Sequence, residues 1–390
     1  MRAGHTAHTC FVVLGLVLAC ALSAAAQVAL PRGDAQSTRV FATQSVDAAP
    51  HKLLWQAEKL FHVKFSENFV SHQGPMTFTG ALPTGHNYSL PLVSGRTIFF
   101  TVYVGNSYFY VLDTATGNRI VMLKFDDNEL STLAAIGSTA FFGTQKGSVI
   151  AYDASARALK WSFEQTDVPF TNGHPLIAEG VLYICGERKG VYALSADTGT
   201  LLWQFKHDSY LSGIAVQDDD VVVLSETRLI AIDKKTGTLK WESSVGRDFY
   251  GPQILDDQIF VRHTAGEVRA YALKDGALRW KSKKNGGTIS PFVLYKGTVI
   301  YGQELGNLVA LDARTGAEKW SFKTKKPCRD PLIAGTTLYA RCADHFHYAL
   351  DPETGVLKWS VDTKAAGPTP IVADGVMYSL SSDGLLQAFQ

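Results

Sequence analysis

The side chains best suited to chemistry in this 390-residue chain are its five cysteines, Cys10, Cys20, Cys185, Cys328 and Cys342. No two form a C-x-x-C pair, so neither a zinc knuckle nor a c-type haem site is written here. Val17-Leu18-Ala19-Cys20 has the form of a bacterial lipobox, which makes Cys20 a candidate for lipidation; the alternative is an ordinary small residue in an apolar leader. Cys328 and Cys342 flank a hairpin turning at Gly335-Thr336, which sets them nearly opposite with a one-residue offset, so they are a candidate disulfide. Cys185 is then a buried strand thiol. Glu304 and Asp344 could each ligate a metal, but neither has a clustered partner, and they read as solvated loop acids. Asn87-Tyr88-Ser89 is a glycosylation sequon only in a host that glycosylates. No catalytic, cofactor-binding or metal-binding residue is therefore assigned.

The elements that carry these groups begin after a leader. Arg2 is followed by an uncharged apolar stretch, Cys10 to Leu22, and by Ala24-Ala25-Ala26 before Gln27. This is the pattern of a secretory signal peptide over residues 1–26. The apolar core is too short for the roughly 20 residues that span a bilayer. Removing it takes away Arg2 alone and leaves 36 basic and 36 acidic side chains. A balanced charge excludes a generic nucleic-acid binder, and export permits disulfides. Residues 27–52 read as a linker.

From residue 53 one phrase recurs, Ala-x-Asp-x-x-Thr-Gly-x-x-x-Trp, clearest at Ala231 to Trp241, Ala310 to Trp320 and Ala349 to Trp359. Weaker copies end at Trp161, Trp203 and Trp280, and Val121 fills the Trp slot of the first. The spacings from 121 to 359 are 40, 42, 38, 39, 40 and 39 residues. Each period contains four short strands with hairpin turns such as Asp374-Gly375, and no window shows helical periodicity. The expectation is an all-β, eight-bladed propeller of four-stranded antiparallel blades over residues 53–390.

The repeated residues have structural work to do. Gly117, Gly199, Gly237, Gly276, Gly316 and Gly355 supply the positive φ of a tight turn. Asp113, Asp153, Asp233, Asp312 and Asp351 cap turn amides. Trp55, Trp161, Trp203, Trp241, Trp280, Trp320 and Trp359 wedge between blades. The eighth third strand ends near Phe389 with no fourth strand after it, while Leu53-Leu54-Trp55 is an unpartnered fourth strand. The N-terminal strand is thus expected to complete the last blade and close the ring.

The repeat resembles that of the quinoprotein (PQQ-dependent) alcohol dehydrogenases and of the outer-membrane assembly lipoprotein BamB, across nearly all of residues 53–390. The resemblance implies the fold, and it is shared by enzymes and by interaction proteins. Quinoprotein dehydrogenases hold PQQ against a vicinal disulfide and bind calcium; this chain has no Cys-Cys and lacks the insertions that build such a pocket. By size, blade number, export and lipobox, BamB is the nearer of the two. No cofactor is expected.

In a four-stranded blade the second-to-third and fourth-to-next-first connections emerge on one face. There the later blades contribute Arg262, Lys281, Lys283, Lys284, Lys323, Lys325, Lys326, Arg329, Arg341 and Lys364, with His263 and His345, and the early blades Asp126, Asp127, Glu129, Glu164 and Asp167. Lys283, Lys284, Lys325, Lys326, Arg329 and Arg341 are the candidate partner-binding residues, suited to an anionic partner; otherwise they are lysines on wet loops. The reading is an exported, monomeric, non-catalytic scaffold, periplasmic or secreted, touching a membrane only through a lipid on Cys20. Alternatives are a PQQ-dependent dehydrogenase-like protein, a small-ligand binder using the central funnel, or a eukaryotic secreted propeller.

Overall fold

The computed structural model describes residues 28–29, 40–41, 52–57, 70–71, 74–75 and 91–390, the last apart from 104–105, 127–128, 172–173, 284–286, 288–289, 363–369 and 381–385. The leader over 1–26, Cys20, Asn87, Lys284, Asp127 and Lys364 lie outside the described residues, and of Arg329 only the backbone is described.

Eight blades of four antiparallel strands form the expected propeller. Blade 1 runs Leu92–Ser94, Thr97–Tyr103, Ser107–Asp113 and Arg119–Phe125. The remaining blades open, in order, with Ala134–Ile136, Leu176–Ala178, Leu211–Gln217, Phe249–Leu255, Val293–Tyr295, Cys328–Ala334 and Ile371–Ala373. First strands touch from blade 1 through blade 5, between blades 6 and 7, and between blade 8 and blade 1, which places them around the axis.

The middle strands are mostly apolar, and in blade 4 nearly without interruption, because both of its faces are covered by neighbouring blades. In blade 4, Val221, Val223, Ile230 and Ile232 pack toward blade 3, while Val222, Leu224, Leu229 and Ala231 pack toward blade 5. All eight are fully buried. A polar residue there would be desolvated on whichever side it faced, which removes the usual apolar-polar alternation.

The ring closes with the head of the chain. Leu53–Gln56 is the fourth strand of blade 8, with Leu53 opposite Phe389 and Trp55 opposite Ala388. Lys52 and Gln390 exchange backbone hydrogen bonds of 3.1 and 3.0 Å. The strand signature of residues 53–56 therefore does what its repeat pattern requires: it supplies the partner that Leu386–Phe389 would otherwise lack.

Blades are locked by a device that uses the Trp, the Gly and the Ala of the repeat. The indole N–H of six tryptophans reaches into the next blade's turn: Trp161 donates to the Ala196 carbonyl (3.1 Å), Trp203 to Lys234 (2.9 Å), Trp241 to Leu273 (3.1 Å), Trp280 to Ala313 (2.9 Å), Trp320 to Pro352 (3.2 Å) and Trp55 to Thr114 (2.8 Å). Each ring then lies on the glycine of that turn; a Cβ on Gly237 would stand 2.7 Å from the Trp203 ring. Beneath the Trp, its cross-strand partner is Ala in blades 2 to 7, as with Ala231 opposite Trp241. Where Val121 replaces Trp, its partner is Val111, and the next blade's turn carries Arg157 in place of glycine, at φ 53°. The smaller side chain at 121 is matched by a larger one at 111, and glycine is dispensed with where no ring presses on it.

Two short stretches of residues 27–52 also pair with the ring. Val28–Ala29 runs antiparallel to the innermost strand of blade 2, with Val28 opposite Ile136 and Ala29 opposite Ala135. Val40–Phe41 runs parallel to the innermost strand of blade 7, beside Ile333 and Ala334. A segment read as a linker thus carries main-chain pairing at the axis.

Candidate interaction face

The two faces of the ring differ in how they use charge. One carries the first-to-second and third-to-fourth turns. Its Asp side chains cap those turns, as where Asp233 accepts from the N–H groups of Lys235 (3.0 Å) and Thr236 (2.8 Å). These bonds hold the Asp233, Asp312 and Asp351 carboxyls below the usual range, the bond from the Thr236 N–H being the largest influence at Asp233. Lysines here find acids: Lys160 with Asp197, Lys234 with Glu179 and Lys296 with Glu353 bridge adjacent blades at 2.6, 3.2 and 2.7 Å. Lys235 with Asp219, Lys240 with Asp220 and Arg279 with Asp257 close within blades. Each exposed pair contributes little, but together they leave this face with few unmatched charges.

The opposite face carries the second-to-third and fourth-to-first connections, and across blades 5 to 7 it is basic. Lys281 ends the fourth strand of blade 5 and Lys323 that of blade 6, and Lys283, Lys325 and Lys326 follow them in the connections to the next blades. All five are exposed. Among the described residues, none of Lys281, Lys283, Lys323 and Lys326 forms an ion pair, and Lys325 places its Nζ 5.9 Å from the centre of the Phe346 ring. The strands deliver these lysines to one end because the outer strand of every blade runs toward this face.

Blade 7 anchors the basic sector. Cys328 and Cys342 stand directly opposite each other and are joined by a disulfide. The one-residue offset expected from counting disappears because the strand bulges between Arg329 and Leu332, where Asp330 and Pro331 face the single residue Ala340 on the partner. Arg341 stands opposite Arg329 on one side and His347 on the other. His347 is buried, its Nδ1 has no hydrogen-bond partner, and burial with the Arg341 guanidinium nearby lowers its pKa to about 3. Its ring therefore stays neutral beside the arginine. Tyr348 donates to Asp344 at 2.9 Å, and burial with that carboxylate pushes the phenol up to about 12.

The acidic early blades are placed on the same face: Asp126 pairs with Lys124 at 3.2 Å and Glu164 accepts from Ser148 at 2.6 Å. Sequence reasoning located these loops but missed the state of their charges, since pairing depends on which turns the blades bring together. The Cys185 thiol is buried and pushed up to about 12, which makes it a poor nucleophile. Among the described residues no group of three or more His, Cys, Asp or Glu is placed to hold a metal ion.

Comparison with known proteins gives a consistent picture. A family described as outer membrane protein assembly factor BamB matches residues 42–204, 187–329 and 264–389. The BamB protein of Yersinia pestis is 28% identical over 213 residues, which cover 47% of this chain and 54% of that protein. The quinohemoprotein alcohol dehydrogenase ADH-IIG of Pseudomonas putida is 29% identical over 179 residues, 43% of this chain and 21% of that enzyme. The chain thus spans about half the length of that BamB relative and about a fifth of the dehydrogenase. The crystal structure of BamB from Moraxella catarrhalis superposes with a TM-score of 0.59 at 20% identity, covering 76% of this chain and 92% of that one. At that identity it speaks for the fold alone.

Proposed function

The chain belongs to the family described as outer membrane protein assembly factor BamB, and from that membership we propose that it is an exported, non-catalytic propeller that acts as a monomeric scaffold for a protein partner. The observation that carries this reading is the contrast between the faces: most lysines find acids on one, while on the other Lys281, Lys283, Lys323 and Lys326 are exposed and form no ion pair among the described residues. A concentrated unmatched charge steers an oppositely charged surface into register. The partner is therefore a protein presenting an acidic loop or edge to blades 5 to 7, with Lys283, Lys284, Lys325, Lys326, Arg329 and Arg341 around the contact. Export through the leader over 1–26, and a lipid on Cys20, would place it at the periplasmic side of an envelope membrane.

The quinoprotein relatives raise the alternative of a PQQ enzyme, and the residues here do not fit that cofactor. The cysteines at 328 and 342 are joined across two strands rather than adjacent in sequence, and the described acids do not cluster for calcium.

The test is affinity capture from the native envelope across a salt series, comparing the wild-type chain with Lys283→Glu/Lys325→Glu/Lys326→Glu. The expected result is a partner retained by the wild type, released as salt rises, and lost by the variant. An unchanged set of partners with unchanged salt dependence would remove the basic sector from the function. PQQ- and calcium-dependent dye reduction by purified protein would instead establish an enzyme.

A further inference from the structure

The innermost strand of a propeller blade has one edge facing the axis, with main-chain N–H and C=O groups that no strand of its own blade can reach. In blades 2 and 7 that edge is occupied. Val28–Ala29 pairs with Ala135–Ile136, and Val40–Phe41 pairs with Ile333–Ala334, the first antiparallel and the second parallel. The two directions are consistent with one path. Ile136 and Ala334 both stand beside turns on the charge-matched face, at Gly137 and Gly335. First strands run toward that face, so the chain heads away from it along blade 2 and back toward it along blade 7. It then reaches the rim at Lys52, where the closing strand begins.

We propose that the inner strand edges of blades 2 and 7 form a binding site for extended polypeptide, and that Val28–Ala29 and Val40–Phe41 of the same chain are its resident occupants. Recognition is by main-chain pairing to the inner edges of blades 2 and 7, the β-augmentation mode, in which affinity comes from backbone hydrogen bonds. The neighbours at the contact, Ala134, Ala135, Ile333 and Ala334, are fully buried and apolar. A competing ligand is therefore an extended, uncharged segment rather than a small anion. Tethering sets the competition: a segment held a few residues from its site acts at an effective concentration in the millimolar range. Only a ligand that is itself tethered or tight-binding would displace it. The inference is independent of the basic face, since it rests on different residues and the other end of the ring.

Two experiments test it. In the full-length chain, Ala29→Cys/Ala135→Cys should cross-link under mild oxidation, read as a linked peptide pair by mass mapping, whereas Ala29→Cys/Ala215→Cys should not. Absence of the first link, or equal yield of both, overturns the proposal. In the second, a fluorescent peptide of residues 27–42 is titrated into the full chain and into a variant lacking residues 27–41 but keeping the closing strand. Binding at least tenfold tighter to the deletion variant is expected. Equal binding, or no binding to a deletion variant that melts cooperatively, overturns it. Should the deletion variant not fold, the cross-link decides alone.

Discussion

Replacing Gly237 by Ala isolates the interlock that joins the blades. Gly237 sits at φ +71° with the Trp203 ring over it, so a new Cβ would meet Cδ2 at 2.7 Å. Gly297 has nearly the same backbone, φ +69°, with nothing within 4 Å of a Cβ, and serves as the control. The left-handed backbone costs an L-residue about 1 to 2 kcal/mol, offset by about 0.4 to 1 kcal/mol from the stiffer unfolded chain. Gly297→Ala should therefore cost about 1 kcal/mol. Gly237→Ala carries the same backbone cost and must also push back an indole that is 9% exposed and bonded to the Lys234 carbonyl. That bond is worth about 1 kcal/mol, and partial loss of packing adds a comparable amount, for a total of about 3 kcal/mol. Trp203→Ala alone should cost about 3 to 5 kcal/mol. With the ring gone, Gly237→Ala should fall back to about 1 kcal/mol, a coupling of about 2 kcal/mol in the double-mutant cycle. Urea unfolding followed by far-ultraviolet circular dichroism measures all four proteins. If Gly237→Ala and Gly297→Ala cost the same, or if the cycle is additive, the ring does not rest on the glycine in the way described.

Three further outcomes follow from the same structure. Deleting residues 52–57 removes the fourth strand of blade 8 and Trp55, and should lower the melting temperature of the whole ring rather than melt one blade; a scan matching the wild type would refute closure by this strand. Cys342→Ser opens a disulfide spanning 14 residues, which should cost about 3 kcal/mol, with intact mass in the presence and absence of reductant verifying the bond. His347 has its folded pKa lowered to about 3 from 6.5, so between those values the unfolded chain holds a proton that the folded chain does not. Stability should then fall as the pH drops through that window, by up to about 1.4 kcal/mol per unit, and His347→Leu should flatten the dependence of the urea midpoint on pH by about one proton.

Much of the fold was legible because each blade repeats its own instructions. The Trp, Gly and Asp spacing fixed the blade count, and the orphan Leu53-Leu54-Trp55 identified the closing strand. The interlock was harder to read: glycine was explained by its turn alone, although Val121, Val111 and Arg157 departing together was a signal that the three slots meet in space. The disulfide register depended on a bulge at Asp330-Pro331, which counting along a hairpin does not reveal. Val28–Ala29 and Val40–Phe41 were illegible for a different reason. Main-chain pairing to a strand edge needs no particular side chains, so it leaves no pattern. The charged face lay between these cases, its loops assignable from topology and its unmatched lysines visible only once the turns of neighbouring blades were brought together.

The bond between head and tail also sets a timetable. Gln56 meets Gln387 across 331 residues of sequence, and at about 5 to 20 residues per second the ribosome needs roughly 20 to 70 s to make what lies between. Throughout that interval the early strand waits for a mate and blade 1 shows an uncovered flank. Blades 1 to 7 can each form from consecutive strands, but the ring cannot close until Leu386–Phe389 have been made and take Leu53–Gln56 as their partner.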